Sequence, residues 1–352
     1  MRRNVDQSLT HLEHNLSNLY TFATIKKIEI DCTSYCNAFC GACDRNIDGG
    51  ADHPKLVLQH LTWDSWCSLV TKQNLQHINE IIFNGNFGDF SMHPNIVNML
   101  DHLSTVKSEI YINMHTNGTA RSTTFWRELA EVLQKFSKHD IKWGIDGLAD
   151  THHIYRRGLD WNKRIDNLTA FNDAGGNSIW KCIVFDHNKN QLNTISQLAE
   201  KLGCMAFQTN RNRSSTITMP AYKSFPSTTI SSPTLQEFES QYKMKQQFHK
   251  QLSTPASTSV TAHGDTKCPY AHEGMIQIDP WGNAWPCCYI SGRRVDGNTN
   301  FPFDKFSTKV SEDSLSDILY KFSEFLEPAW ANASVDICNR CAGISQPAPR
   351  YS

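Results

Sequence analysis

No apolar run in the sequence approaches the ~20 residues that a membrane-spanning helix requires, so no membrane partner is expected. The opening stretch MRRNVDQSLTHLEHN has no apolar core of the kind a secretory signal carries, and the expected compartment is the cytoplasm. Neither sign of charge dominates: 34 Lys and Arg stand against 35 Asp and Glu, a formal charge of −1. That balance exerts no global pull on nucleic acid or an anionic surface, and nucleic acid is not an expected partner. No internal repeat is visible. Hydrophobic residues make up only 39% of the 352, yet this suffices for the core of one large domain or two ordinary ones.

Against these absences stand twelve cysteines. In a chain that is neither short nor visibly exported, thiols, metal ligands or catalytic groups are expected before disulfides. Cys32, Cys36, Cys40 and Cys43 cluster near the start, and Cys268, Cys287, Cys288, Cys338 and Cys341 near the end. Cys67, Cys182 and Cys204 are scattered between them. Two clusters at opposite ends suggest two metal sites.

Short runs rich in β-branched and aromatic residues read as strands: IKKIEI (25–30), INEIIFNG (78–85), EIYINMHTNG (109–118), IKWGIDG (141–147), SIWKCIVF (178–185) and CMAFQTN (204–210). Helical patterns such as LTWDSWCSLVTKQ, TTFWRELAEVLQKF and NQLNTISQLAEKLG lie between them, and alternation of this kind means βα units around a parallel sheet. Six units are too few for a closed eight-stranded barrel, so the expectation is an α/β partial barrel with functional residues at the C-terminal strand ends. The stretch 212–262 is rich in Ser, Thr and Pro and reads as a connector with a helical island near QEFESQYKMKQQFHKQL. Beyond it GMIQIDPWGNAWPCCYI reads as a hairpin and SLSDILYKFSEFLEP as a helix. The expected division is a lead-in over 1–24, a barrel over 25–211, the connector, a small α+β cysteine-bearing domain over 263–345 and a tail over 346–352.

Cys36-Asn-Ala-Phe-Cys40-Gly-Ala-Cys43 follows the first strand directly. Three thiolates can hold three irons of a [4Fe–4S] cluster and leave the fourth iron open; a structural zinc site is the plainer alternative. With its βα context, the motif resembles the radical S-adenosylmethionine superfamily. FNGNFGDFSMHP sits where that superfamily has its glycine-rich loop for the amino group of S-adenosylmethionine, HTNG ends the third strand, GIDG with HHIYRRG resembles the fourth-strand segment, and VFDHN ends the fifth. Two positions depart from the pattern: Ala42 precedes the third cysteine where an aromatic residue is usual, and the loop's acid is Asp89 rather than a glutamate in GGE register. The resemblance implies a partial (β/α)6 barrel, a cluster on Cys36, Cys40 and Cys43, and S-adenosylmethionine held among Asn84, Gly85, Asn86, Asp89, Thr116, Asn117, Asp146 and Arg156. Which of Asn84, Asn86 or Asp89 meets the amino group stays open. The pair Arg156-Arg157 is either an anion clamp or a solvated surface pair.

Cys268, then Gly282 and Cys287, then Cys338-Asn-Arg-Cys341, resembles the auxiliary domains of radical enzymes called SPASM or, in shortened form, twitch. That likeness implies one auxiliary [4Fe–4S] cluster on Cys268, Cys287, Cys338 and Cys341, with a Cys₄ zinc site as the alternative. The implied function is reductive cleavage of S-adenosylmethionine and hydrogen-atom abstraction from a substrate. Oxidation or epimerisation of a small metabolite is slightly favoured over modification of a peptide. An external donor such as flavodoxin or ferredoxin would supply the electron. Cys288, Cys204 and Cys182 are candidate hydrogen donors for an epimerisation, although a buried cysteine is usually a small hydrophobe. The competing class is an iron–sulfur or zinc protein without catalysis.

Overall fold

A computed structural model describes residues 20–212, 214–248, 268–296, 300–303, 306, 308–332 and 334–341. Most of the expected lead-in, the end of the connector and the tail lie outside the described residues. In chain order the strands are β1 (Lys27–Ile30), β2 (Phe39–Cys40), β3 (Glu80–Phe83), β4 (Tyr111–Thr116), β5 (Lys138–Gly144), β6 (Arg156–Arg157), β7 (Ser178–Val184), β8 (Ala206–Arg211), β9 (Thr216–Met219), β10 (Thr228–Ser231), β11 (Lys245–Gln247), β12 (Met275–Ile278) and β13 (Ala284–Trp285).

Nine of these form one sheet in the order β11-β8-β7-β5-β4-β3-β1-β12-β13. The strands from β8 to β12 run parallel, and the edges β11 and β13 are antiparallel. Parallel neighbours need crossovers, which helices Trp63–Leu69, Ile96–Val106, Thr123–Leu133, Trp161–Asp173 and Leu192–Lys201 supply. Their ends are written locally. Thr62 accepts a hydrogen bond from the Ser65 amide (3.2 Å) and Asp160 one from the Lys163 amide (2.7 Å), satisfying free donors of the first turn. Gly175 and Gly203 take left-handed φ values of 84° and 81° just past two helix ends. The main core lies between sheet and helices, where Trp66, Trp126, Trp143, Trp180, Phe171 and Phe207 are fully buried. Each such side chain withdrawn from water contributes roughly 2–3 kcal/mol. This is the expected α/β partial barrel.

Two features go beyond the sequence reading. The hairpin expected after residue 274 exists as β12 and β13, but β12 also pairs in parallel with β1, Ile28 opposite Ile276. MIQI is buried at every position, as a strand covered on both faces must be, so the cysteine-bearing segment extends the sheet of the barrel. In the connector, the described part of the helix expected near 236–252 is helical over Leu235–Glu237 and Phe238–Tyr242, while Lys245–Gln247 is a strand and 249–252 lie outside the described residues. The Thr234 capping box starts the helix, but the open edge of β8 needs hydrogen-bond partners, and β11 provides them.

The connector also holds the β9–β10 hairpin, which packs on the cysteine loop. A Cβ on Gly41 would lie 2.4 Å from Met219 Sδ, so only glycine allows this approach. Arg157, read as either an anion clamp or a surface residue, is neither. It is 2% exposed and donates to the carbonyls of Pro220 (2.7 Å) and Pro226 (2.6 Å), fastening the hairpin to its own strand. Buried carbonyls stripped of these donors cost about 1–3 kcal/mol each. Arg157→Met is therefore expected to destabilise the protein by several kcal/mol and to open residues 219–227 to protease. Equal urea midpoints and cleavage patterns for the variant and the native chain would contradict this.

Candidate active site

The strands deliver alternate residues to the concave side of the sheet. His115 on β4, Lys142 and Gly144 on β5, and Lys181 and Ile183 on β7 line a cavity of about 240 Å³, while Met114, Trp143 and Cys182 point away into the main core. The cavity mouth carries Cys36, Cys40 and Cys43, together with Asn84, Gly85, Asp89, Thr116, Asn117 and Arg156. An adjoining space of about 320 Å³ shares Cys40, Cys43, Gly85, Arg156, Lys181 and Ile183 and adds Asn86. Ten of the eleven residues expected at this site from sequence thus meet at one cavity or its neighbour, and the eleventh, Asp146, stands behind Arg156.

Asn117, Arg156 and Asp146 shape the thiol loop. Asn117 Nδ2 lies 3.7 Å from Cys36 Sγ and 2.9 Å from Asn37 Oδ1. Pairing of β2 with β6 sets Cys40 opposite Arg156, whose Nη1 is 4.0 Å from Cys40 Sγ. Asp146, fully buried, accepts from Arg156 Nε and from the Ile183 amide, both at 2.6 Å, and so aims the guanidinium. Burial pushes the Cys36 thiol up to about 12, with Asp89 and Cys40 adding to it. Burial likewise raises Cys40 and, with Cys40 and Cys36 beside it, Cys43. Three thiols gathered so are poorly suited to ionise alone, and a cationic iron–sulfur group is what would draw off their protons. The three thiols line one cavity, and among the described residues no three His, Cys, Asp or Glu are grouped as ligands of a single ion. The donor set fits a cluster held by three cysteines.

Asp89 is committed inward. Its carboxylate accepts from Ser91 N (3.1 Å), Ser91 Oγ (2.6 Å), Thr116 Oγ1 (3.0 Å) and Asn117 N (2.6 Å). Thr116 and Asn117 are thereby positioned. Gly88 lets this loop touch the cysteine loop, since a Cβ there would meet the carbonyl oxygens of Thr33 and Tyr35 at 2.5 Å.

Below the mouth lies a buried acidic pair that the sequence reading missed. Asn84 Nδ2 and Asn86 Nδ2 donate to Glu29 Oε1 at 3.0 and 2.7 Å, and the Asn86 amide donates to Asp31 Oδ1 at 3.0 Å. Gln277 from β12 also donates to Asp31. Burial, then the neighbouring Glu29, raises Asp31 to about 8. The available signal was a pair of acids two residues apart, Glu29 and Asp31, at the end of the first strand.

The second cysteine group also gathers. Burial, then Cys268, Cys288 and Cys338, holds the Cys287 thiol far above its usual range, and Tyr20 is raised by burial and by Cys268, Cys287 and Cys338. Cys341 ends the helix Asp336–Cys341. Tyr270 bridges the two regions, donating to Glu29 Oε2 at 2.6 Å and hydrogen-bonding with Cys288. The three candidate hydrogen donors do not reach the cavity. Strand alternation turns Cys182 outward, Cys204 is sealed in the core beside Ser178 and Asn172, and Cys288 lies against Tyr270. Cys32 is 1% exposed and packs in the main core.

No protein-family profile and no curated protein sequence matches the chain. Solved structures do. Streptococcus suis SuiB bound to S-adenosylmethionine superposes with a TM-score of 0.52 at 14% identity, over 89% of this chain and 68% of that one. The structure of anSMEcpe with AdoMet and the Cp18Cys peptide gives a TM-score of 0.51 at 15% identity, over 86% of this chain and 81% of that one. The chain has the partial-barrel fold of radical S-adenosylmethionine enzymes.

The acidic pair yields a test. An unfolded Asp31 ionises near pH 4 and the folded one near 8, so between these values the folded state keeps a proton that the unfolded state has lost. Stability contributed at this site therefore falls as pH rises from about 4 to 8 and then levels off. Asp31→Asn should remove that slope, gaining on the native chain most at pH 8. Urea midpoints at pH 5, 6.5 and 8 measure it, and parallel curves for the two proteins would refute the assignment.

Proposed function

We propose that the protein reductively cleaves S-adenosylmethionine and uses the resulting radical to take a hydrogen atom from a substrate. The observation that carries this is the meeting of Cys36, Cys40 and Cys43 with the Asn84–Asp89 loop, the Thr116–Asn117 turn and Arg156 at one cavity on the C-terminal side of the parallel strands. A [4Fe–4S] cluster bound to the three thiolates would supply the electron for cleavage and an open iron for the cosubstrate.

The chain's own residues divide the remaining work. Asn117 and Arg156 donate toward Cys36 and Cys40, which stabilises thiolate charge and tunes the group they bind. Arg156, held by Asp146, is the cation best placed for the carboxylate of S-adenosylmethionine. Gly85 leaves the rim open, and the side chains of Asn84 and Asn86 are spent on Glu29, so the loop offers the amino group its backbone rather than a free carboxylate. Cys268, Cys287, Cys338 and Cys341 would hold an auxiliary cluster that takes up an electron during oxidation of the substrate. Tyr270 and Glu29 lie between the two regions.

A small metabolite is the favoured substrate, because the two adjoining spaces are of the size that enfolds S-adenosylmethionine and a compact partner. Peptide modification is the second reading. SuiB has been solved with its precursor peptide SuiA, and here a groove of about 520 Å³ runs from Cys43 past His53 to Thr218, where an extended chain would fit.

Anaerobically reconstituted protein should bind about eight irons per chain and, once reduced, release 5′-deoxyadenosine and methionine from S-adenosylmethionine. Replacing Cys36, Cys40 and Cys43 by Ala should abolish cleavage and leave about four irons in place. Zinc in place of iron, or a fully loaded sample that cleaves nothing, would defeat the proposal.

A further inference from the structure

We propose that Glu29 is a positioning residue for the Asn84–Asp89 loop: with Asp31 it draws the amides of Gly85 and Asn86 inward, so that the Gly85 carbonyl faces the cavity as an acceptor for the ammonium of S-adenosylmethionine. This rests on the radical reading for the identity of the ligand.

The underside of the loop is set by the end of β1. Glu29 Oε1 accepts from Asn84 Nδ2 at 3.0 Å and from Asn86 Nδ2 at 2.7 Å. Asn84, held in this way, accepts the Gly85 amide on its Oδ1 at 2.9 Å. Asp31 accepts the Asn86 amide on Oδ1 at 3.0 Å and Asn86 Nδ2 on Oδ2 at 3.1 Å. Both amides of the turn are therefore occupied on the protein side, and the two acids that organise them are buried. A trans peptide sets its carbonyl opposite its N–H. With the Asn86 N–H on Asp31, the Gly85 carbonyl is turned away from the acidic pair. Gly85 itself is exposed and lines both adjoining spaces. An ammonium carries donors only, so a carbonyl on this rim can receive it and an amide cannot.

Glu29 is itself held from the second cysteine region. The Tyr270 hydroxyl donates to Glu29 Oε2 at 2.6 Å, which leaves Oε1 to the two asparagines. Gln277 Nε2 donates to Asp31 Oδ2. Trp281 meets Phe87 of the loop edge to face, with ring centres 5.2 Å apart. A buried carboxylate oxygen needs a donor. Without the Tyr270 hydroxyl, Oε2 would compete with Oε1 for Asn84 and Asn86 and disturb the turn above them.

The test uses the full chain, anaerobically reconstituted to its native iron content. Calorimetric titrations compare S-adenosylmethionine with its analogue that lacks the α-amino group. Glu29→Leu should weaken S-adenosylmethionine by about tenfold and leave the analogue within about twofold of its native affinity. Glu29→Gln keeps an oxygen for both asparagines and should hold S-adenosylmethionine within about threefold of native affinity. Tyr270→Phe should cost about threefold for S-adenosylmethionine and nothing for the analogue. Asn86→Ala, with the same expected loss as Glu29→Leu, serves if the Leu variant fails to fold. Equal losses for the two probes overturn the proposal, because they give Glu29 a general structural role. Equal losses in Glu29→Leu and Glu29→Gln also overturn it, because they give the effect to the charge of Glu29. Unchanged affinity in Glu29→Leu overturns it and leaves the radical reading standing. Binding to the native chain without 5′-deoxyadenosine formation after reduction counts against the radical reading alone, because the titrations do not depend on turnover. A native chain that binds neither probe overturns both.

Discussion

The geometry of the cavity mouth depends on the burial of one carboxylate. Asp89 has left water and must be repaid in hydrogen bonds, and its donors come from its own loop and from the end of β4. Its backbone amide in turn donates to Tyr35 of the cysteine loop. Three chain segments far apart in sequence are thus held together by a single residue. Because Asp89 fixes Asn117, and Asn117 reaches Cys36, the carboxylate acts on the thiols at one remove. The acid that resembles a cosubstrate ligand in sequence serves in the structure as the fastening of the site.

The interior of the barrel obeys the same rule on a larger scale. A sheet closed against helices on its convex side normally fills its concave side with branched apolar residues. Here that side carries Glu29, Asp31, Glu80, Asn113, His115, Asp140, Lys142 and Lys181; Asn113 donates to Glu80 and accepts from Lys142, and Lys142 pairs with Asp140 at 3.8 Å. Such an interior is costly to build and favours polar ligands over apolar ones. Glu29 and Asp31 form a buried acidic pair at β1, while Lys142 and Lys181 line the cavity from β5 and β7, with Asp140 beside Lys142.

The second cysteine group is joined to this interior by the sheet itself. Once β12 pairs with β1, Gln277 reaches Asp31, and Tyr270, just ahead of that strand, reaches Glu29. A segment that looks separable in sequence contributes to the floor of the first site. A hydrogen-bonded chain of Cys288, Tyr270 and Glu29 spans the two regions.

The sequence by itself determined the six βα strands, their crossover helices, and the two groups of cysteines, because periodicity, capping and close spacing are local properties. It also supplied most of the mouth, since Asn84 to Asp89 and Thr116-Asn117 lie at the ends of strands that can be read from their own residues. Only the tertiary structure decided that β12 joins β1, that Arg157 turns inward to hold a hairpin, that Asp89 is spent on the protein's own donors, and that Lys142 and Lys181 share a wall. Each of these depends on which residues from distant segments face one another, and register and burial are set by the packing of the whole sheet rather than by any stretch of it.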